Sequence, residues 1–130
     1  MKKLTEHMIQ SAFIEIVRLH EPYYAALRTG FAVPNGGARS AITGAILKAE
    51  GVRAGVPDWW LPAAGIFQGF ARQQLVIEFK LPKKKLSAVQ LAYRLLLEKH
   101  APNTVYLMHT DAEQAWRSVA DYLQIPRARA

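Results

Sequence analysis

The stretch LVIEFKLPKKK, residues 75–85, decides how the chain is read. It begins as a buried strand. Leu75 and Ile77 alternate with Val76, so both faces of the segment are apolar and both must be covered. It ends as a solvated basic loop, Lys83-Lys84-Lys85. Between the two halves stand Glu78 and Lys80, flanking Phe79. The two-residue period of a strand puts Glu78 and Lys80 on one face and Phe79 on the other. Charges in such surroundings must be ion-paired, bound to a cation or open to solvent. Taken alone, the pattern favours a salt bridge at a strand end.

Outward from this strand, the chain alternates helical and extended patterns. Thr5 to about His20 carries Met8, Ile9, Ala12, Phe13, Ile16 and Leu19 at three- and four-residue steps behind an N-capping threonine, which predicts a helix. Residues 29–33 (TGFAV) read as a short strand closed by the turn Pro34-Asn35-Gly36-Gly37. Residues 38–50 are helical despite Gly44, and residues 56–61 (VPDWWL) turn into a strand. The glycine-punctuated segment 62–73 is a hairpin connection to the strand 75–81. Ser87 caps a helix to about Lys99, with Ala88, Leu91, Ala92 and Leu95 on one stripe. Residues 104–109 (TVYLMH) form a buried-type strand. Asp111–Leu123 form a last helix, with Thr110 and Glu113 as its capping box. The tail from Ile125 to Ala130 should fray. Strand–helix–strand at 75–81, 87–99 and 104–109 implies a parallel pair, and 56–61 with 75–81 an antiparallel one. The expected fold is one α/β domain, a mixed central sheet flanked by helices on both faces.

Composition narrows the function. A chain of 130 residues, 51% hydrophobic and 21% charged, buries a core without staples. It has no cysteine, which excludes disulfides, thiolate zinc sites and thiol nucleophiles and fits a reducing cytoplasm. No signal-peptide pattern follows the first lysines, and no apolar run approaches the roughly 18 residues of a membrane span. Seventeen Lys and Arg against ten Asp and Glu give a net charge of +7, the footprint of a polyanion partner or simply of a basic surface. His7, His20, His100 and His109 lack metal-ligand spacing. The serines lack a nucleophile-elbow context, and no Walker lysine appears. Of Trp59 and Trp60, at least one belongs to the core or an interface.

Asp58 changes the reading of Glu78 and Lys80. It stands at the start of the neighbouring strand, far enough upstream for a hairpin to return Glu78 beside it. Two carboxylates converging at a sheet end repel when desolvated, and a hard divalent cation such as Mg²⁺ resolves the repulsion. A lysine alongside orients or deprotonates a water and offsets charge on a phosphate. Asp58, Glu78 and Lys80 therefore describe metal-assisted phosphodiester hydrolysis.

The pattern VPD…IEFK matches the PD-(D/E)xK nuclease signature. With VPNGGARS (33–40), LKAEGVRAGVPD (47–58) and IEFKLPKKKLSAVQ (77–90), the chain resembles the VRR-NUC family from about Thr5 to Leu123. The resemblance implies a restriction-endonuclease-like fold and a Mg²⁺- or Mn²⁺-dependent DNA endonuclease of bacterial or phage-infected cells. It also implies a homodimer acting on branched DNA, a Holliday junction first and flaps second. Asp58 and Glu78 become the metal-binding carboxylates, Lys80 the catalytic lysine, Gln90 the active-site glutamine on the following helix, and Glu6 the first-helix acid that completes the metal site directly or through water. Glu15 is the competitor for that last role. Asn35, Gly36, Gly37 and Arg39 would approach the substrate, and Lys83, Lys84 and Lys85 would grip a DNA backbone, setting register and salt dependence. Glycine at 36 and 37 permits positive φ and close approach to a phosphate, as it also would in a plain turn. Gly55, ahead of Pro57, sets the sharp entry that aims Asp58. A non-cutting DNA-binding module is the alternative from another class.

Overall fold

The computed structural model describes residues 3–34 and 41–127. Thr5 caps the first helix, α1 (Glu6–His20), its hydroxyl accepting from the Met8 N–H at 3.1 Å. Ile9, Phe13 and Val17 recur every fourth residue and form the helix's buried stripe. A 3₁₀ turn, Ala25–Thr29, follows and takes Thr29 out of the expected strand, leaving only β1 (Phe31–Ala32). After α2 (Ala41–Ala49) come β2 (Trp59–Leu61), β3 (Gly65–Phe67), β4 (Phe70–Arg72) and β5 (Gln74–Phe79). The chain closes with α3 (Ala88–His100), β6 (Thr104–His109) and α4 (Ala112–Tyr122). The expected connection 62–73 is itself a two-stranded hairpin, β3 with β4. The turn Asn35-Gly36-Gly37, with Arg39, lies outside the described residues.

The main sheet has the order β1-β2-β5-β6, antiparallel except for the parallel pair β5–β6. The expected mixed sheet is therefore present, with α3 as the crossover between its parallel strands. Register divides the side chains between two faces. Trp59 and Leu61 stand opposite Ile77 and Leu75, and with Phe79 and Val105 they face α1 and α4. Phe13 is the keystone of that layer: its ring meets Trp59 edge-on at 5.0 Å and Phe79 at 5.3 Å. Val76, Glu78, Tyr106 and Met108 point the other way, towards α3.

Three expectations need correction. The cap of α4 is Asp111, whose carboxylate accepts from the Gln114 N–H at 3.1 Å; Thr110 lies one residue too early. Ile125 is no frayed tail residue but a buried member of the core, tied back by its N–H to the Ala120 carbonyl at 2.8 Å. The α3 stripe does not enter the core. No residue of α3 is buried, and Leu91 and Leu95 are 46% and 54% exposed. The helical period was real, but this helix covers the sheet through Gln90 and Arg94 and turns Leu91, Leu95 and Leu96 outward.

Candidate active site

Pairing of β2 and β5 builds the site. Trp59 is opposite Ile77, so one further step of the same antiparallel register sets Asp58 across from Glu78. The backbone fixes Asp58 from two sides. Its Oδ2 accepts the Phe79 N–H at 2.8 Å, and its carbonyl accepts the Val33 N–H at 2.8 Å. The approach to it passes Gly55, at φ +83°, where an added Cβ would sit 2.6 Å from both Cγ1 and the carbonyl oxygen of Val89. Only glycine meets both conditions.

Glu78 is 1% exposed, and it alone among the described residues is both charged and buried. Its carboxyl faces Asp58 across the β2–β5 pair, while its Oε2 has no partner among the described residues. Burial first, then the proximity and charge of Asp58, push its pKa up to about 9, and the Lys80 ammonium only partly opposes them. Glu78 therefore favours its protonated form at neutral pH. That arrangement fits a divalent cation, which would replace the proton and engage the unpartnered oxygen.

Lys80 follows the strand, its backbone N–H donating to the His109 carbonyl at 3.0 Å. Its Nζ donates to Gln90 Oε1 at 3.2 Å and lies 4.0 Å from Glu6 Oε2. Gln90 is itself held, because the same Oε1 accepts the Ser87 N–H at 2.8 Å and the Gln90 N–H donates to Ser87 Oγ at 3.2 Å. The capping box that starts α3 thus also orients the lysine. Glu6 is placed beside Lys80, and no group of three His, Cys, Asp or Glu side chains arranged to hold a metal occurs among the described residues. The second and third lysines of the run Lys83–Lys85 are exposed, as is Lys83, which adopts φ +69° and turns the chain away from the strand end.

No protein-family model matches the chain, and neither does any curated protein. Among solved structures, a VRR_NUC domain protein matches with a TM-score of 0.71 over 96% of this chain and 93% of its own, at 18% sequence identity. The chain has the VRR_NUC fold.

In this VRR_NUC fold a cleft of about 920 Å³ opens over the carboxylates. Asp58, Glu78 and Gln90 line it together with Gly55, and α1 supplies the opposite wall with Glu6, Gln10 and Ile14 on one side. His7, Ser11, Glu15 and Arg18 of α1 line it as well, so Glu6 and Glu15 both face the cleft and the contact with Lys80 singles out Glu6. Sequence reasoning missed this α1 wall, although the four-residue step from Glu6 to Gln10 to Ile14 was there to be continued. It also missed Arg94, one helical turn beyond Gln90, whose guanidinium lies 5.1 Å from the centre of the Tyr106 ring.

Proposed function

We propose that the protein is a divalent-metal-dependent DNA endonuclease. One observation carries this reading: a fully buried carboxyl, Glu78, faces a second, Asp58, beside a lysine held in place by Gln90. Electrostatics supports it. The cleft gathers four of the chain's ten acidic residues, Glu6, Glu15, Asp58 and Glu78, against Arg18 on its wall and Lys80 at its end. In a protein of net charge +7, that is the place a phosphate would avoid unless a cation were bound there.

Asp58 and Glu78 would hold Mg²⁺ or Mn²⁺, which when bound supplies Lewis-acid polarisation of the scissile phosphate and lowers the pKa of water. Lys80, fixed by Gln90 and drawn towards Glu6, orients the attacking water and neutralises charge as the phosphorane forms. The exposed Lys83, Lys84 and Lys85, with Arg39 and the Asn35-Gly36-Gly37 turn, hold the DNA backbone without reading its bases. Branched DNA, a four-way junction before a flap, is the proposed substrate, cut by a two-fold homodimer that sets one site on each symmetric strand. The outward apolar residues Val89, Leu91, Leu95 and Leu96 of α3 support such an assembly. The reaction belongs in the cytoplasm, where its substrate is.

The test is incubation of labelled junction, flap and linear DNAs with and without Mn²⁺, alongside Lys80→Ala. Cleavage by the wild type only with Mn²⁺, its loss in Lys80→Ala and retained DNA affinity are expected. A DNA-binding module of the same fold would bind all three substrates and cut none.

A further inference from the structure

Tyr106 takes no part in the reading above, yet it stands against the site. In the parallel pair β5–β6, Val76 is opposite Tyr106 and Glu78 opposite Met108, so Tyr106 shares the face of Glu78 and lies one diagonal step from it. With strands about 4.8 Å apart and a rise of about 3.3 Å per residue, that step is about 8 Å between Cα atoms, within reach of a tyrosine and a glutamate together. Two oxygens on this face are buried without a hydrogen-bond partner among the described residues: Oη of Tyr106 and Oε2 of Glu78.

We propose that Tyr106 is a positioning residue for Glu78, its hydroxyl donating to the second carboxylate oxygen, directly or through one water, once both carboxylates are ionised around the cation. The proposal rests on the metal-site reading given above. Arg94 packs on the donor's ring, its guanidinium 5.1 Å from the ring centre. The hydroxyl lies in the field of the site: after burial, the charge of Glu78 contributes most to keeping its proton bound, and Asp58 adds to this. It therefore stays a donor at any pH at which the site works. A phenylalanine would fill the same space without burying an unpaired hydroxyl, so the hydroxyl costs the metal-free fold stability. Its return comes when Glu78 carries charge. Groups that hydrogen-bond metal-ligating carboxylates typically change metal affinity or activity by about 10–100-fold when removed.

The experiment compares wild type and Tyr106→Phe by titration calorimetry with MnCl₂ and by thermal melts in EDTA and in saturating Mn²⁺. Tyr106→Phe is expected to melt in EDTA at or above the wild-type temperature. It should bind Mn²⁺ about 10-fold more weakly, and its cleavage should need about 10-fold more Mn²⁺ for half-maximal rate. Equal Mn²⁺ affinity in the two proteins overturns the proposal while leaving the metal site standing. A lower melting temperature or loss of folding in EDTA also overturns it, because the hydroxyl then serves the fold. A wild type that takes up no Mn²⁺ defeats the metal-site reading itself, and this inference with it.

Discussion

Replacing Glu78 by glutamine should make the metal-free protein more stable at neutral pH, by an amount that grows with pH. The side chain is 1% exposed and its pKa is pushed from 4.5 to about 9, chiefly by burial. In the unfolded chain Glu78 ionises near 4.5, whereas in the fold it keeps its proton until about 9. Between these values the native state binds one proton more than the unfolded state, so stability falls as pH rises, at about 1.4 kcal/mol per pH unit. Below the lower value the contribution is fully retained. From pH 6 to pH 8 the wild type should lose about 3 kcal/mol through this residue, against a total of roughly 5–15 kcal/mol for an ordinary domain. Glutamine keeps the shape but has no proton to lose. The assay is urea unfolding in EDTA at pH 5, 6, 7 and 8, comparing the difference between the two proteins so that other titrating groups cancel. The difference should widen steadily with pH. Parallel profiles would refute the reasoning, for Glu78 would then be ionised in the metal-free fold.

Other expectations follow from the same geometry. Mn²⁺ binding at pH 7.5 should release about one proton, read from calorimetry in buffers of different ionisation enthalpy, because the proton that Glu78 holds must leave. Gln90→Ala should lower kcat by about 10-fold while also costing about 1 kcal/mol of stability, since one oxygen serves both Lys80 and the cap of α3; kinetics and urea melts measure the two separately. Gly55→Ala should destabilise by roughly 2 kcal/mol and raise the Mn²⁺ requirement, because the positive φ and the collision with Val89 move the segment that aims Asp58. Alanine at Lys83, Lys84 and Lys85 together should flatten the dependence of log affinity for duplex DNA on log salt by up to about 3, measured by anisotropy.

Much of the site was legible because a strand's period of two is rigid. Glu78 and Lys80 had to share a face, Asp58 had to return to them if the hairpin formed, and Ser87 marked the start of the helix that carries Gln90. What escaped depended on distant partners. The leucine stripe of α3 has the right period for a core helix, and nothing local says that this sheet face is screened by Gln90 and Arg94 instead. Ile125 follows the last helix and looks terminal, yet a pocket in the core takes it. Thr110 and Asp111 are both good caps with competing partners three residues on, and only backbone geometry chooses between them. Tyr106 sat unmarked in an apolar strand, because an aromatic residue there is ordinary until its hydroxyl is found buried and unpaired.

The unfavourable features gather at one end of the sheet. An acid buried beside another acid, the unpartnered Oε2 of Glu78 and the positive φ of Gly55 all lie around the cleft over the carboxyl end of β5. The other end, below Trp59 and Leu61, consists of tightly packed apolar side chains. A core selected only for stability would replace Glu78 with an apolar residue of similar volume. Unfavourable groups that face one another across a cleft are the pattern of a site whose energy is lowered by something it binds. On the proposed reading the ligand of Asp58 and Glu78 is a cation, and the basic loop that begins at Lys83 takes the anion that follows it. A phosphate diester meets the second condition only after the first is met, so the order of assembly is cation before DNA. Removing the cation should therefore weaken DNA binding at the cleft while leaving binding to the basic loop intact. A wild-type affinity for junction DNA that is the same in EDTA and in Ca²⁺ would refute that order.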